Sequence, residues 1–160
     1  MAAKPEKDRV RKTPETVNKK ALFNYEIVER LEAGITLVGS EVKSLRGAAA
    51  DLSGSYARLL SQECWLIGAT ISPYEQAGDL NHEPLRKRKL LLHKSEMRRL
   101  KSKLDQKGFT LVPLKIYFNE RGLAKVQLGL ARGKRQYDKR RSISEREQKK
   151  DLSRNMKKYR

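Results

Sequence analysis

The chain has 160 residues and one cysteine, and its 37 lysines and arginines against 19 aspartates and glutamates give a formal net charge of +18. This length predicts one domain, and the single Cys64 excludes a disulfide framework and a thiolate metal cluster. Because an apolar run of about 18 residues and an apolar leader are both missing, neither a membrane span nor a secretory signal is expected. We therefore expect a cytoplasmic protein that binds a polyanion, with nucleic acid as the first choice and a membrane surface or an acidic protein as the alternatives.

The positive charge is concentrated at the two ends of the chain. Residues 1–20 carry seven basic and three acidic side chains (net +4), residues 21–132 eighteen and twelve (net +6), and residues 133–160 twelve and four (net +8). The first range has almost no apolar residues and is predicted to be a flexible, disordered basic arm. The middle range is predicted to form the folded domain. The like charges of the last range repel one another when the chain is alone and would be neutralised by a polyphosphate partner. We therefore predict a basic partner-binding tail.

The domain is expected to open with a strand. Phe23, Tyr25 and Ile27 alternate with polar residues, as a half-buried strand requires. Gly34 is predicted to interrupt this strand, and residues 35–38 are predicted to continue it briefly.

A brief helix is predicted next. Ser40 is its expected N-terminal cap, Leu45 lies on its apolar side and Gly47 ends it. Lys43 and Arg46 are three residues apart, so they are expected to share a neighbouring face.

The middle of the domain is predicted to contain a hairpin, a loop and a second helix. Strands over Tyr56–Leu60 and 64–71 are joined by a short turn. Residues 73–84 include prolines and a glycine and are predicted to be a loop. Apolar residues spaced along one helical face predict a helix over 95–106, with Gly108 beyond its C-terminus.

The clearest pattern is a hairpin with its turn at residues 119–122. Apolar residues alternate over 112–118 and again over 124–130, which predicts one apolar face on both strands. Pro113 is expected at an edge or a bulge. Five or six antiparallel strands with short helices predict a mainly β fold. We favour an OB-type barrel, which binds nucleic acid, although SH3-like barrels and small ribosomal-protein folds fit nearly as well.

Signatures of catalysis and of metal binding are not found in the sequence. His82 and His93 have no cysteine or carboxylate cluster at ligand spacing, and neither a phosphate-binding glycine loop nor a nucleophile elbow occurs. Glu26, Glu29 and Glu32 are expected to pair with lysines or arginines. The sequence therefore predicts neither an enzyme nor a bound metal or cofactor.

Several segments resemble one protein family over whole motifs. They are NKKA at 18–21, EAG at 32–34, GSEVKSLR at 39–46, RKRKLLLH at 86–93 and GLARGKRQYDKR at 129–140. Together with Tyr25, these segments resemble the SsrA-binding protein family, small protein B, from about residue 18 to residue 160. The motifs are long and stand in the family's order, so the resemblance is specific.

The resemblance implies an OB-type, six-stranded antiparallel barrel with short flanking helices and a C-terminal tail that is disordered in solution. It also implies binding to the tRNA-like domain of transfer-messenger RNA (tmRNA) and delivery of that RNA to stalled bacterial ribosomes for trans-translation. There the tail would occupy the empty mRNA channel near the decoding centre, formed by 16S rRNA. The incomplete protein would then be tagged for degradation, with no catalytic step by this chain.

The residues expected to contact RNA combine charged groups with aromatic and apolar ones. They are Tyr25, Glu32, Lys43, Arg46, Tyr56, Leu91, Lys125, Arg132 and Lys134. Glu32, Leu91 and Lys125 match RNA-contacting positions of the family, and structured RNA is recognised through phosphates and 2′-hydroxyls. Tyr25 and Tyr56 either stack on unpaired bases or pack against the barrel wall, and both interpretations stay open. Leu91 stands in an apolar run and is interpreted as a core residue that supports the RNA-binding surface.

The tail contains a predicted helix start and a narrow apolar stripe. The segment SEREQ at 144–148 begins with a capping-box pattern, and Leu152 and Met156 fall on one helical face. This stripe is too thin to hold a helix in water, so we predict a coil that becomes helical on the ribosome. The expected ribosome contacts are Tyr137, Asp138, Lys139, Arg140, Leu152 and Met156.

Two other classes of protein have to be separated from this hypothesis. A structural ribosomal protein or a general binder of structured RNA has the same charge pattern, and its constant presence in salt-washed ribosomal subunits would favour it. An RNA-processing enzyme would require activity of the pure protein on RNA. The chain is expected to be a monomer.

Overall fold

The computed structural model describes residues 14–135 and, in the tail, residues 143, 144, 147, 148, 150–152, 154 and 156. The strands are β1 (Thr16–Val17), β2 (Tyr25–Ile35), β3 (Ala50–Asp51), β4 (Tyr56–Leu60), β5 (Glu63–Ile67), β6 (Thr70–Ile71), β7 (Arg88–Leu91), β8 (Phe109–Phe118) and β9 (Ala124–Gly133). The helices are α1 (Lys19–Asn24), α2 (Gly39–Arg46) and α3 (Lys94–Leu104), with a 3₁₀ helix over Glu75–Leu80.

A closed ring of antiparallel strands forms the centre of the fold. The sheet order is β1-β8-β4-β5-β7-β2-β9, and β8 also pairs with β9, so six strands close on themselves and β1 lies outside. Strands β3 and β6 form a separate two-stranded sheet. The predicted mainly β fold of six antiparallel strands with short flanking helices is confirmed.

The main core lies where the ring strands turn their apolar side chains toward one another. Leu66, Leu90, Leu111 and Leu128 are each at most 2% exposed and belong to this cluster. Burying such side chains is the main favourable contribution to folding, about 1.5–3 kcal/mol for each. The ring thereby holds its outer residues in fixed positions.

The prediction that the last hairpin has a single apolar face is wrong for β8 up to Leu114. Val112 and Leu114 pack with Ala21 of α1 in a second cluster, whereas Leu111 and Ile116 belong to the main core. The change of side occurs because the β8–β9 register shifts between Pro113 and Lys115, which confirms the predicted bulge. Helix α1 covers the residues that this shift turns outward.

The first predicted strand begins later and continues further than expected. Phe23 is the fifth residue of α1, so β2 starts at Tyr25. Gly34 does not interrupt β2, because it pairs with Lys125 on β9 and with Leu91 on β7. A Cβ at Gly34 would lie 3.2 Å from the Cβ of Leu91, so glycine allows this close approach.

Residues before the predicted domain boundary at 21 belong to the fold, from Thr16 onward among the described residues. Strand β1 pairs with β8, and Asn18 is 4% exposed at the N-terminus of α1. Its side-chain oxygen accepts a hydrogen bond from Ala21 N–H at 3.0 Å, and its Nδ2 donates to the carbonyl of Leu52 at 2.8 Å. This capping residue ties the segment to the ring. Residues 1–13 of the predicted arm lie outside the described residues.

The helix and hairpin predictions of the middle segment differ from the structure in detail. Ser40 does not cap α2: Val38 is the N-cap, and its N–H donates to the Glu41 carboxylate at 2.9 Å. The predicted strand over 64–71 is divided into β5 and β6 at Gly68, whose φ is +76°. The turn between β4 and β5 and the helix α3 lie close to where they were predicted, and a 3₁₀ helix lies within the predicted loop.

The described tail residues between 143 and 156 are helical. Ile143 is already helical, so the helix begins before the predicted capping residue Ser144. Leu152 and Met156 are 63% and 75% exposed. Tyr137, Asp138, Lys139 and Arg140, which are expected to contact the ribosome, lie outside the described residues. That the tail is a coil when free stays a prediction.

Candidate nucleic-acid interface

Three adjacent strands bring Glu32, Leu91 and Lys125 together around Gly34. In the β2–β9 register Gly34 faces Lys125, and in the β2–β7 register it faces Leu91. Glu32 is two residues before Gly34 and therefore points to the same side of the sheet. These residues line a cleft of about 500 Å³, which we call the Glu32 cleft. Its lining residues are Glu32, Gly34, Ile35, Leu91, Leu92, His93, Glu96, Leu123, Ala124 and Lys125.

Two charged residues of the Glu32 cleft, Glu32 and Lys125, form a network with Tyr117 beside the cleft. Lys125 Nζ lies 3.3 Å from Glu32 Oε1, and the Tyr117 hydroxyl donates a hydrogen bond to Glu32 Oε2. The bond from Tyr117, followed by the contact with Lys125, holds the pKa of Glu32 below its ordinary value although burial opposes this. Burial and the nearby carboxylate raise the pKa of Tyr117 to about 12. At neutral pH the carboxylate is therefore charged and the phenol keeps its proton.

Sequence reasoning missed Tyr117. The signal was the register of the last hairpin: with its turn at 119–122, residue 117 faces residue 125 across the two strands, as the structure shows. Paired residues in adjacent strands point to the same face of the sheet, so a tyrosine at this position had to lie beside Lys125.

The interpretation of Leu91 as a core residue is wrong. Its side chain is 55% exposed, whereas its neighbour Leu90 is 2% exposed, because consecutive strand residues point to opposite faces. Leu123, which is 57% exposed, lines the same cleft. An exposed apolar pair beside a carboxylate and an ammonium can cover a base or ribose while the charged groups meet polar edges.

The two tyrosines meet at a second cleft, of about 520 Å³, which we call the Tyr56 cleft. Tyr56 is 41% exposed, and Tyr25 is half-buried and packs partly against the second apolar cluster. The cleft is lined by Asn18, Lys20, Ala21, Asn24, Tyr25, Ser53, Gly54, Ser55, Tyr56, Thr110 and Val112. For Tyr25 the packing interpretation therefore holds in part, and both rings retain surface that can stack on a base.

The remaining predicted cations lie outside both clefts. On α2, the Lys43 ammonium is 5.2 Å from the ring centre of Tyr74 and the Arg46 guanidinium is 5.7 Å from that of Phe118. Arg132 stands 4.8 Å from the ring centre of Phe109. Lys134 Nζ donates to the carbonyl of Leu22 at 3.3 Å. The first three are exposed and keep donors for phosphates, since a ring face takes none of their hydrogen bonds.

The basic run at 86–89 supports the fold with two of its four cations. Arg86 and Arg88 both donate to Glu41, with Arg88 Nε at 2.8 Å from Oε1, and the side chains of Arg88 and Glu41 are completely buried. Arg88 also donates to the carbonyl of Ala69 at 2.7 Å. Burial raises the pKa of Glu41, but the bonds from Arg86 and from the Val38 N–H outweigh it and keep that pKa below the ordinary value. Lys87 is the exposed cation of this run.

The glutamates of β2 pair mostly as predicted. Glu29 contacts Arg99 and Lys103 of α3, the latter at 2.6 Å, and the Lys103 bond lowers the pKa of Glu29. Glu32 pairs with Lys125. Glu26 forms no ion pair with another described residue. Charged groups on β2 therefore serve both the fold and the cleft.

The histidines fill structural positions. His82 is 9% exposed, with Nδ1 2.9 Å from Ser40 Oγ and Nε2 3.0 Å from the carbonyl oxygen of Ile71. His93 is the N-cap of α3, where its N–H donates to Glu96. Among the described residues no group of three or more histidine, cysteine, aspartate or glutamate side chains is placed to hold a metal ion. In the same part of the chain no helix is long and apolar enough to cross a membrane.

Comparisons with known proteins agree over most of the chain. The family model described as "SmpB protein" matches residues 15–158. An SsrA-binding protein from Symbiobacterium thermophilum is 54% identical over 141 residues, covering 88% of this chain and 89% of that protein. The SsrA-binding protein of Thermus thermophilus is 59% identical over 128 residues, covering 80% and 89%. A chain of the solved structure described as "tmRNA-SmpB: a journey to the center of the bacterial ribosome" is 56% identical, with a TM-score of 0.67 over 81% of this chain and 94% of that chain.

Proposed function

This chain belongs to the SmpB family, and from that premise we propose that it binds the tRNA-like domain of tmRNA and delivers it to stalled bacterial ribosomes for trans-translation. The observation that carries the proposal is the family match over residues 15–158, together with 54–59% identity to SsrA-binding proteins. The role takes place in the cytoplasm, where translating ribosomes are. It requires binding and positioning of RNA by this chain and no covalent chemistry.

We assign the first RNA contact to the Glu32 cleft. Lys125 offers ammonium protons to phosphates or 2′-hydroxyls, Glu32 accepts from base amines, and Leu91 supplies an exposed apolar surface. This mixture suits folded RNA, whose loops expose unstacked bases beside backbone. A phosphate-only site would not need a carboxylate at its centre, so the cleft favours a defined RNA structure over any polyanion.

We assign a second, weaker contact to the Tyr56 cleft and the exposed cations. Tyr25 and Tyr56 lie at one cleft, where a base stacked on an aromatic ring contributes about 1–3 kcal/mol. Tyr25 starts β2 and Glu32 lies seven residues further along that strand, so these two residues are about 23 Å apart along the strand. One RNA of tRNA size can reach both.

The tail is assigned to the ribosome. Its residues 133–160 carry net +8, and its described residues between 143 and 156 are helical, with Leu152 and Met156 exposed. In the mRNA channel, rRNA phosphates would neutralise the repulsion between these cations, and the narrow apolar stripe would find a partner. Tyr137, Asp138, Lys139 and Arg140 stand at the start of this segment, and we propose that they meet the decoding centre.

Deleting residues 133–160 tests the assignment of the two clefts to tmRNA separately from the assignment of the tail to the ribosome. We expect the truncated protein to bind the tRNA-like domain within about threefold of the full chain, because every residue that lines the two clefts precedes residue 133. Tagging of stalled chains in a reconstituted translation system should be abolished. A fall in RNA affinity by orders of magnitude would instead make the tail the main RNA clamp.

Titration of the purified full chain with the tRNA-like domain of tmRNA, with ordinary tRNA as competitor at near-physiological salt, tests the whole proposal. We expect tight binding that excess tRNA barely displaces. Weak binding that is equal for both RNAs and erased by salt would mean a general polyanion binder, and a structural ribosomal protein would then explain the charge better.

A further inference from the structure

Tyr117 is not among the residues that line the Glu32 cleft, yet its hydroxyl bonds the carboxylate at the centre of that cleft. Tyr117 and Lys125 are partners across the β8–β9 hairpin, and Glu32 approaches them from β2 on the other side of β9. The Tyr117 hydroxyl donates to one carboxylate oxygen of Glu32, and Lys125 lies 3.3 Å from the other. We propose that Tyr117 is a positioning residue, which holds the Glu32 carboxylate beside Lys125 so that this pair meets the RNA in one fixed arrangement. The inference rests on the proposed function and assigns a further residue to the same site.

The charge balance of the cleft gives a reason for this arrangement. Lys125 is the one lysine or arginine among the described residues that line it, whereas Glu32 and Glu96 both supply carboxylates. Glu96 is occupied by the N–H of His93 at 2.9 Å. Glu32 is 52% exposed and, without a second anchor, its side chain is free to turn and cover the Lys125 ammonium. An ammonium bound by both carboxylate oxygens keeps only one N–H for phosphates and 2′-hydroxyls.

The hydrogen-bond inventory shows what the anchored pair presents. The phenol has one proton, which it donates to Glu32, so its oxygen offers only acceptor capacity to a ligand. An ionised carboxylate accepts up to about four hydrogen bonds, and two of these are taken by Tyr117 and Lys125. Glu32 therefore keeps acceptors for a base amine or a ribose hydroxyl, and Lys125 keeps N–H donors. The cleft can bind both kinds of group at once.

The ring of Tyr117 is itself held in place. Lys115 Nζ lies 4.8 Å from its ring centre, and the same ammonium binds the Glu15 carboxylate at 2.9 Å. The cation over the ring and the packing of β8 limit the movement of the phenol. An anchor fixed before binding reduces the side-chain entropy that is lost when the RNA arrives.

The test is a double-mutant cycle on the full chain, titrated with the tRNA-like domain of tmRNA. Tyr117→Phe keeps the ring and removes the hydroxyl, and Tyr74→Phe is the matched control, since its hydroxyl bonds Gln76 instead. We expect Tyr117→Phe to weaken binding about three- to tenfold, Tyr74→Phe to leave it within twofold, and Tyr117→Phe to add nothing in a Glu32→Gln background. Circular dichroism of each variant confirms that the fold is retained.

A second readout separates positioning from simple contact. Carbon NMR of the Glu32 carboxyl should show its titration moving to higher pH in Tyr117→Phe, because the bond that most lowers this pKa is removed. The inference is overturned if Glu32→Gln weakens binding and Tyr117→Phe does not, or if the two effects are additive. Failure of the wild-type chain to bind the RNA overturns the proposed function and the inference together. Full binding by Glu32→Gln overturns the inference alone.

Discussion

Glu41 and Glu32 are each flanked by two hydrogen-bonding side chains, yet their surroundings give them different roles. Glu41 is completely buried and is held by Arg86 and Arg88, and Arg88 donates its other protons to backbone carbonyls. Glu32 is half exposed and is held by Lys125 and Tyr117, with lone pairs and ammonium protons left over. The first network has its hydrogen bonds committed within the protein, and the second keeps some for a ligand. Burial, more than residue type, decides which of the two clusters keeps hydrogen-bonding groups for a ligand.

The buried network should dominate stability. Arg88→Met removes one partner of a buried carboxylate and takes one donor each from the carbonyls of Ala69 and Pro84, of which Pro84 keeps the Ile71 N–H. We expect the free energy of unfolding, measured by urea denaturation, to fall by about 3–5 kcal/mol. Lys87→Met, one residue away on the exposed side, is the control and should change stability by less than about 0.5 kcal/mol. If Arg88→Met and Lys87→Met had the same free energy of unfolding, the buried Glu41 network would not stabilise the fold more than an exposed cation does.

Leu90 and Leu91 extend the same contrast to apolar residues. Leu90→Ala should lower the free energy of unfolding by about 2–5 kcal/mol, because it opens a cavity in the main core. Leu91→Ala should cost less than about 1 kcal/mol and instead weaken binding of the tRNA-like domain several-fold, because its exposed side chain lines the Glu32 cleft. Urea denaturation and RNA titration of both variants measure the two effects. A stability loss at Leu91 as large as that at Leu90 would restore the core interpretation.

How far the sequence predicts this molecule depends on how local the signal is. The alternation of apolar residues and the turn at 119–122 predicted the last hairpin, and the family motifs pointed to Glu32 and Lys125. The bulge near Pro113 was expected. That Val112 leaves the main core was not, because it packs against Ala21 of α1, about 90 residues earlier in the sequence. Leu91 was wrongly predicted to be a core residue, because residues 90–92 are all leucines and show no alternation of apolar and polar side chains. The Arg88–Glu41 pair joins residues 47 positions apart, which no local pattern reveals.

The salt dependence of RNA binding tests the part that Lys125 has in the exposed network. Lys125→Ala should weaken binding of the tRNA-like domain about three- to tenfold and reduce the salt slope by about 0.7–0.9 for each phosphate that this ammonium neutralises. Lys89→Ala, which removes a cation paired with Glu63 on another part of the ring, should leave the slope unchanged. Affinities measured over a series of salt concentrations give both slopes. An unchanged slope in Lys125→Ala would place that lysine away from RNA phosphates.

The dependence of stability on pH gives the smallest expected effect, and it concerns the exposed Glu32. Glu32 and Glu41 both have a folded-state pKa below the ordinary value of 4.5, so their ionised forms stabilise the fold above that pH. This contribution is lost as the pH falls from about 4.5 through the folded pKa. Because Glu32 is half exposed and solvent screens its pair, Glu32→Gln should change the free energy of unfolding at pH 7 by at most about 1 kcal/mol. Urea denaturation at pH 7 and at a series of lower pH values should show this small difference shrinking as the pH falls below about 4.5, because the wild-type carboxylate takes up a proton and then resembles the amide. If Glu32→Gln instead proved as destabilising at pH 7 as Arg88→Met, the exposed network would be part of the scaffold, and its lone pairs would not be free for RNA.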